Sequence, residues 1–261
     1  MGGLNIEAKK LYKRMGLESR LTPLNKKLDK KMFYDFADIK QKEKNVISKF
    51  VERLELSYLL TPSTINIQPM INEEYHYEGV MFVTASLKEE TLDKHVNVLE
   101  EVIHGALPHP VVITFTWQDQ ILISTCIKRL NKVNRAAVVL ETIHRTNWID
   151  DQITDSVKTA FLQSFQLVNL NFANFYEFYK DMDLTVEAFE NAKTVGDFTI
   201  VKSDEEREQQ LLLIQHIQEK ELAISRLIAA IKKETQFNKK VEMNIKVQQL
   251  TMDIEQLKNN F

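Results

Sequence analysis

One cysteine in 261 residues, Cys126, leaves no pair for an internal disulfide. Such sparing use matches a reducing compartment, and a cytoplasmic location is expected. Six glycines are few for loops that cradle phosphates. No P-loop, dinucleotide-binding glycine pattern or serine nucleophile elbow occurs, so no nucleotide, cofactor or acyl-transfer chemistry is indicated. No run approaches the roughly 20 apolar residues of a membrane span. The start, MGGLNIEAKK, has no apolar stretch long enough for a signal peptide. Contact with a membrane is not expected.

What is present is an ordinary globular composition, 44% hydrophobic and 27% charged, enough to bury a core. The net charge of −3 is unevenly spread. Residues 1–60 carry 14 Lys and Arg against 8 Asp and Glu, residues 61–148 carry 7 against 10, residues 149–202 carry 4 against 9, and the remainder carries 9 against 10. The basic start either meets nucleic acid or an acidic partner, or consists of helices solvated by lysine. Lys26, Lys27, Lys30 and Lys31 lie just before Phe33, Tyr34 and Phe36. Cations beside aromatics suit a single-stranded nucleic acid, and aromatics beside a loop also serve to anchor it.

Hydrophobic spacing divides the chain into 1–60, a basic helical region; 61–149, a central α/β core; 150–202, a helical region packed on that core; and 203–261, a long helix or helical hairpin. In the first region a short helix is expected over 5–17, then an exposed connection through Pro23 and the lysines. A second helix, N-capped by Asp38, carries Ile39, Val46, Ile47, Phe50, Val51 and Leu54 and ends before Pro62. Ser63 to Ile67 is expected as a short strand.

The core reads as strand, helix and three strands. Val80 to Val83 is apolar on both alternating faces, as in a strand covered on both sides. Leu92, Val96, Leu99, Val102, Ile103 and Ala106 follow one helix face, with Gly105 and Pro108 expected to close the helix. Val111–Phe115 and Ile121–Thr125 read as a hairpin across Gln118–Gln120. After a polar loop over Asn131–Arg135, a fourth strand passes through Val138–Leu140 and ends near Trp148. The fold class is therefore α+β, a small mixed β-sheet (strand-helix-strand-strand-strand core) flanked by helices, with a long C-terminal coiled-coil-like helix.

Beyond Asp150, Val157, Phe161, Phe165 and Val168 suit one helix. Phe172, Phe175, Tyr176 and Tyr179 suit a second, Phe189 a third short piece, and Phe198–Val201 an extended link. Ser203 with Glu206 forms a capping-box pattern that opens the C-terminal helix. Ile214, Ile217, Ile224, Ile228 and Ile231 alternate at three and four, and so do Met243, Val247, Leu250, Ile254, Leu257 and Phe261. The second register is offset by one residue from the first. That offset means either a seam with a skip or a bend near Phe237–Asn238. Ile217, Ile224, Ile231, Met243, Val247, Leu250, Ile254 and Leu257 are the expected helix interface, facing the chain's own core, a second copy or another protein.

Reacting groups are few. Glu100, Glu101 and His104 share a helix, with His109, Cys126 and His144 as further metal-ligand candidates, but no paired ligand spacing anchors them and no metal is expected. A metal-dependent nuclease needs an acid on one strand and Glu-x-Lys on the next; Lys88, Lys128 and Glu141 are present without that spacing. Lys128, Arg129, Arg145 and Trp148 end two strands, where they either contact a partner or nucleic acid, or close the core under a salt-bridged arginine. No catalytic residue is assigned.

Lys31-Met32-Phe33-Tyr34 precedes Leu60-Thr61-Pro62-Ser63-Thr64-Ile65-Asn66-Ile67. Then come Pro108-His109-Pro110, Lys128, Thr146-Asn147-Trp148, and Lys233-Glu234-Thr235-Gln236-Phe237-Asn238-Lys239-Lys240-Val241-Glu242-Met243-Asn244. In this order and spacing they resemble the bacterial domain-of-unknown-function family 4391, over most of the chain apart from about 168–201. The resemblance implies a gene beside those of a helicase and a site-specific DNA methyltransferase. It therefore implies an accessory, non-catalytic subunit of an antiphage defence or restriction-modification-like system, with those two proteins as partners. A DNA-binding module using the basic start, and a divergent metal-dependent nuclease, are the alternatives. A homo-oligomer through the C-terminal helix is a further expectation.

Overall fold

The computed structural model describes residues 6–36, 39–107, 109–132, 138–150 and 155–259. The chain divides into two compact units, Met1–Glu190 and Asn191–Phe261.

The first unit opens with α1 (Ile6–Met15), whose Ala8, Leu11, Tyr12 and Met15 are buried at helical spacing. The expected exposed connection instead forms β1 (Lys26–Leu28) and α2 (Lys30–Phe36). The second helix is also shorter than its periodicity suggests. α3 spans Gln41–Phe50, and β2 (Val51–Leu60) follows without a break. Leu54, Leu56, Tyr58 and Leu60 alternate along β2 and are all buried. Asp38, the expected cap, lies outside the described residues. Thr61 then caps a single turn, α4 (Pro62–Ile65), where a strand was expected. Proline at the first helical position has its φ already set and lacks an amide that would go unpaired there in any case.

β3 (Met70–Ile71) and β4 (His76–Tyr77) form a small separate ribbon. The core pattern is then as read. β5 (Val80–Leu87), α5 (Asp93–Ala106), β6 (Val111–Trp117), β7 (Gln120–Leu130) and β8 (Val138–Arg145) follow in sequence. β5 and β6 are parallel, joined by the crossover α5. Gly105 sits inside α5, which ends instead at Leu107 in extended conformation, the geometry imposed on a residue before proline. Pro108 itself lies outside the described residues, as does part of the loop after Asn131.

The sheet is larger than expected, because β2 and β1 extend it. Its order is β1-β2-β5-β6-β7-β8, with β9 (Ile149–Asp150) beside β7. One face packs Leu54, Val83, Ile113 and Phe115 against Phe33, Ile47 and the apolar side of α5. On another side Tyr12 meets Tyr58 and Phe82 edge-on, and its hydroxyl bonds Thr84 at 2.9 Å and Thr114 at 3.2 Å. Gly79 lies so close to β2 that a methyl there would overlap the Leu60 carbonyl oxygen.

After β9 come α6 (Ser156–Ser164), capped by the Asp155 carboxylate, a 3-10 turn (Leu167–Asn169), and α7 (Phe175–Val195). The aromatic helix and the third short piece expected here are therefore one helix of 21 residues. The boundary between the units falls within it.

In the second unit, Phe198–Val201 takes no regular structure. The C-terminal helix is not continuous: α8 (Asp204–Lys233) and α9 (Phe237–Lys258) are separate. Ser203 caps α8 by accepting from the Glu206 amide. The Glu234 carboxylate accepts from the amides of Thr235 and Gln236 at 2.8 and 2.9 Å and turns the chain without glycine or proline. Lys220 meets Asp253 at 2.7 Å, and Ile214, Ile217 and Ile254 share one apolar cluster, so α9 runs back along α8.

Candidate functional site

Of the residues singled out in the sequence, Glu100, Glu101, Glu141 and Arg145 line one cleft. β8 is the last strand of the sheet path, and alternation turns Glu141, Ile143 and Arg145 toward α5. α5 adds Asn97, Glu100 and Glu101, and α7 adds Glu190; together they line an open cleft of about 380 Å³. Glu100 occupies the apolar stripe of α5, one turn beyond Val96, and is only 3% exposed. Its Oε2 accepts from Arg145 at 3.2 Å, and the buried carboxylate also has the Ser124 hydroxyl as a hydrogen-bond partner. Burial pushes the Glu100 carboxyl up to about 7, against the lowering pull of the Arg145 charge. Arg145 also donates to Asn97 Oδ1 at 2.5 Å and lies 3.7 Å from Asp93.

On the opposite face of β8, His144 meets Asp183, Glu187 and Glu190 of α7 at 4.0, 3.9 and 3.4 Å. Burial lowers its pKa, but the Glu190 hydrogen bond and the three carboxylate charges outweigh burial and raise it overall. The Glu190 carboxylate also accepts from the Arg145 amide, at 3.4 Å, and so covers part of the strand edge.

His104, Ser124 and Glu100 hold the residue types of a hydrolytic triad without its arrangement. His104 Nε2 lies 3.2 Å from Ser124 Oγ, but both residues are fully buried. His104 Nδ1, the atom a triad acid would hold, has no partner. Burial drives the His104 pKa well down and keeps the ring neutral. Cys126 is equally inert, its thiol pushed up to about 12 by burial. Among the described residues no group of three or more His, Cys, Asp or Glu is placed to hold a metal ion.

The remaining candidates are scattered. Lys128 is buried, and its ammonium donates to the carbonyls of Leu107 at 2.6 Å and His109 at 2.8 Å, tying the end of α5 to β7. Burial pushes its pKa down to about 7. Arg129 pairs with Glu141 at 2.8 Å. Trp148 is half-buried against Trp117. Lys26 and Lys27 are exposed on β1, at the other end of the sheet path, and Lys31 is exposed on α2. Lys30 turns inward to donate to the Val51 carbonyl. Phe33 is buried and Tyr34 is half-buried. In the hairpin, Ile217 and Ile254 are buried, and Ile224, Ile231, Met243, Val247, Leu250 and Leu257 are half-buried. Of these, Ile217, Ile224, Ile254 and Leu257 share one apolar cluster of α8 and α9. Phe261, which completed that pattern, lies outside the described residues.

Sequence spacing missed Asn97 and Glu190. A carboxylate inside the apolar stripe of α5 was the available signal for Glu100. The Asp183, Glu187 and Glu190 spacing, one helical face, was the signal on α7.

A mixed sheet with a crossover helix between its parallel strands, further helices and, in the second unit, a helical hairpin define an α+β protein. The chain belongs to the family described as a domain of unknown function, DUF4391, which matches residues 21–254 and runs through the stretch around 168–201 that the sequence motifs left uncovered. No curated protein and no solved structure matches it. Among the described residues, no helix is long and apolar enough to cross a membrane.

Proposed function

We propose that the protein is an accessory, non-catalytic subunit of a bacterial antiphage defence or restriction-modification-like system, acting through contacts with a helicase or a DNA methyltransferase. The partners and the setting come from the family resemblance. The supporting observation is the outer surface of the hairpin. Leu211, Leu212, Leu222, Ile228, Val241, Ile245 and Met252 stand exposed on α8 and α9. Apolar surface of this extent on paired helices suits a protein partner. Co-expression with the two neighbouring gene products tests it. Leu222→Glu with Ile245→Glu abolishes co-purification while leaving helical content unchanged; unchanged co-purification overturns the proposal.

A second reading, nucleic-acid binding by the basic start, is favoured by exposed Lys26, Lys27 and Lys31. Binding by this route weakens steeply with added salt. A gel shift showing no complex at low salt removes it.

A further inference from the structure

We infer that the outer surface of the α8–α9 hairpin binds a second copy of this chain, antiparallel across a two-fold axis. The apolar residues left in water there are ordered. Val241, Ile245 and Met252 follow one another at four and seven residues, which sets them on one face of α9. Leu211 and Leu222 stand about three turns apart on one face of α8. All five are exposed, while Ile214, Ile217 and Ile254 are buried in the apolar cluster of the hairpin. Two paired helices with apolar residues outside their seam can take a second pair against them, as in a four-helix bundle.

Charge selects the occupant and its direction. The Lys220–Asp253 pair, at 2.7 Å, marks one level across both helices. From that pair to the turn, residues 222–252 carry six Lys and Arg against two Asp and Glu. On the other side of it, residues 204–221 and 253–258 carry three against eight. The hairpin is basic at its tip and acidic at its base, so the surface that complements it is its own inverse. A second copy laid antiparallel sets each tip on the other's base, whereas a parallel copy opposes like charges at both ends. A uniformly acidic or basic partner complements one end only. Antiparallel pairing is isologous and closes at two chains. With tip on base, Leu222 and Met252 lie near the axis, and Leu211 of each copy comes level with Val241 of the other.

The inference goes beyond the reading above and stands without it, because it concerns the chain alone. Where both hold, the helicase or methyltransferase meets the dimer. Leu212, about 100° further round α8 than Leu211, lies off the paired face and stays available to them.

Light scattering on the full chain alone, at low salt, tests this by mass. The wild type is expected at twice the mass of one chain. Ile245→Glu weakens the dimer about tenfold or more with helical content unchanged. Charge reversal reads the direction. Lys239→Glu with Lys240→Glu and Lys246→Glu makes the tip acidic, and Glu208→Lys with Glu219→Lys and Glu221→Lys removes the acidic excess of the base. Each triple variant is expected as a monomer by itself, and the two mixed in equal amounts as a dimer, a recovery that a folding defect does not give. A wild type of single-chain mass overturns the inference, and so does a dimer indifferent to Ile245→Glu or a pair of reversed variants that fails to combine. A monomeric wild type leaves the co-purification test to judge the reading above by itself, and a dimer that binds neither gene product overturns that reading alone.

Discussion

The two units handle awkward groups in opposite ways. Met1–Glu190 takes polar and charged side chains inside: Lys128, Glu100, His104 and the Tyr12–Thr84–Thr114 set are buried with partners fitted around most of their atoms. Asn191–Phe261 has a thin interior, Val195, Ile214, Ile217 and Ile254, and leaves leucines and isoleucines in water. A sheet covered on both faces has volume to spare for polar networks. Two paired helices have only one seam. The first unit is therefore held by specific geometry, the second by a stripe of apolar contacts.

The sharpest test of that contrast is Gly79→Ala. Its new methyl has to displace the Leu60 backbone, and overpacking against a main chain costs about 3 kcal/mol or more. Urea unfolding read by tryptophan fluorescence, which reports the first unit, should show the loss; a midpoint within error of wild type would mean that the strand ends are pliable.

Next comes Glu100. Its folded pKa of about 7 exceeds the ordinary 4.5, so the folded state holds the proton more tightly than the unfolded state. This favourable contribution is complete below about pH 4.5 and disappears as pH rises through about 7. Relative to Glu100→Gln, the wild type should lose about 3 kcal/mol across that window. Parallel stability curves for the two proteins would contradict the burial of the charge.

Ile217→Ala removes a fully buried side chain from the thin interior of the hairpin and should cost about 2 kcal/mol. The loss should appear as faster proteolysis within α8 and α9, with tryptophan fluorescence unchanged. Lys220→Ala breaks the Lys220–Asp253 pair, whose side chains are 30% and 49% exposed, and should cost no more than about 0.5 kcal/mol. A larger effect would mean that the hairpin, too, depends on polar geometry.

These differences also explain what could be read from the residues. α5 and β5 to β8 were legible because their periods are clean and turn residues bound them. β2 was not, since Val51 follows Phe50 with no glycine or proline between them. Ile47, Phe50, Val51 and Leu54 continue a helical face, while Leu54, Leu56, Tyr58 and Leu60 also alternate as a strand. Pairing with β1 and β5 decides between the two, and pairing is not a local property. The break at Glu234–Gln236 was visible only as a one-residue offset in register. The cleft was half legible: Glu100 and Arg145 could each be named, but their meeting at 3.2 Å depends on how the crossover helix lies across β8.

The splayed end of the β6–β7 hairpin has one more consequence. Pairing of β7 with β6 stops at Ser124↔Ile113. Beyond it the Cys126 amide donates to the Tyr179 hydroxyl at 3.0 Å, and that hydroxyl donates to the Val111 carbonyl at 2.6 Å. The Lys128 amide donates to the Tyr77 hydroxyl at 2.9 Å, and the Leu130 amide to the Glu74 carbonyl at 2.7 Å. These three amides lie in a strand but owe their shelter to a helix and a small ribbon. In hydrogen exchange their clocks should run with the opening of α7 and the β3–β4 ribbon, while the neighbouring β7 amides keep the slower time of the sheet.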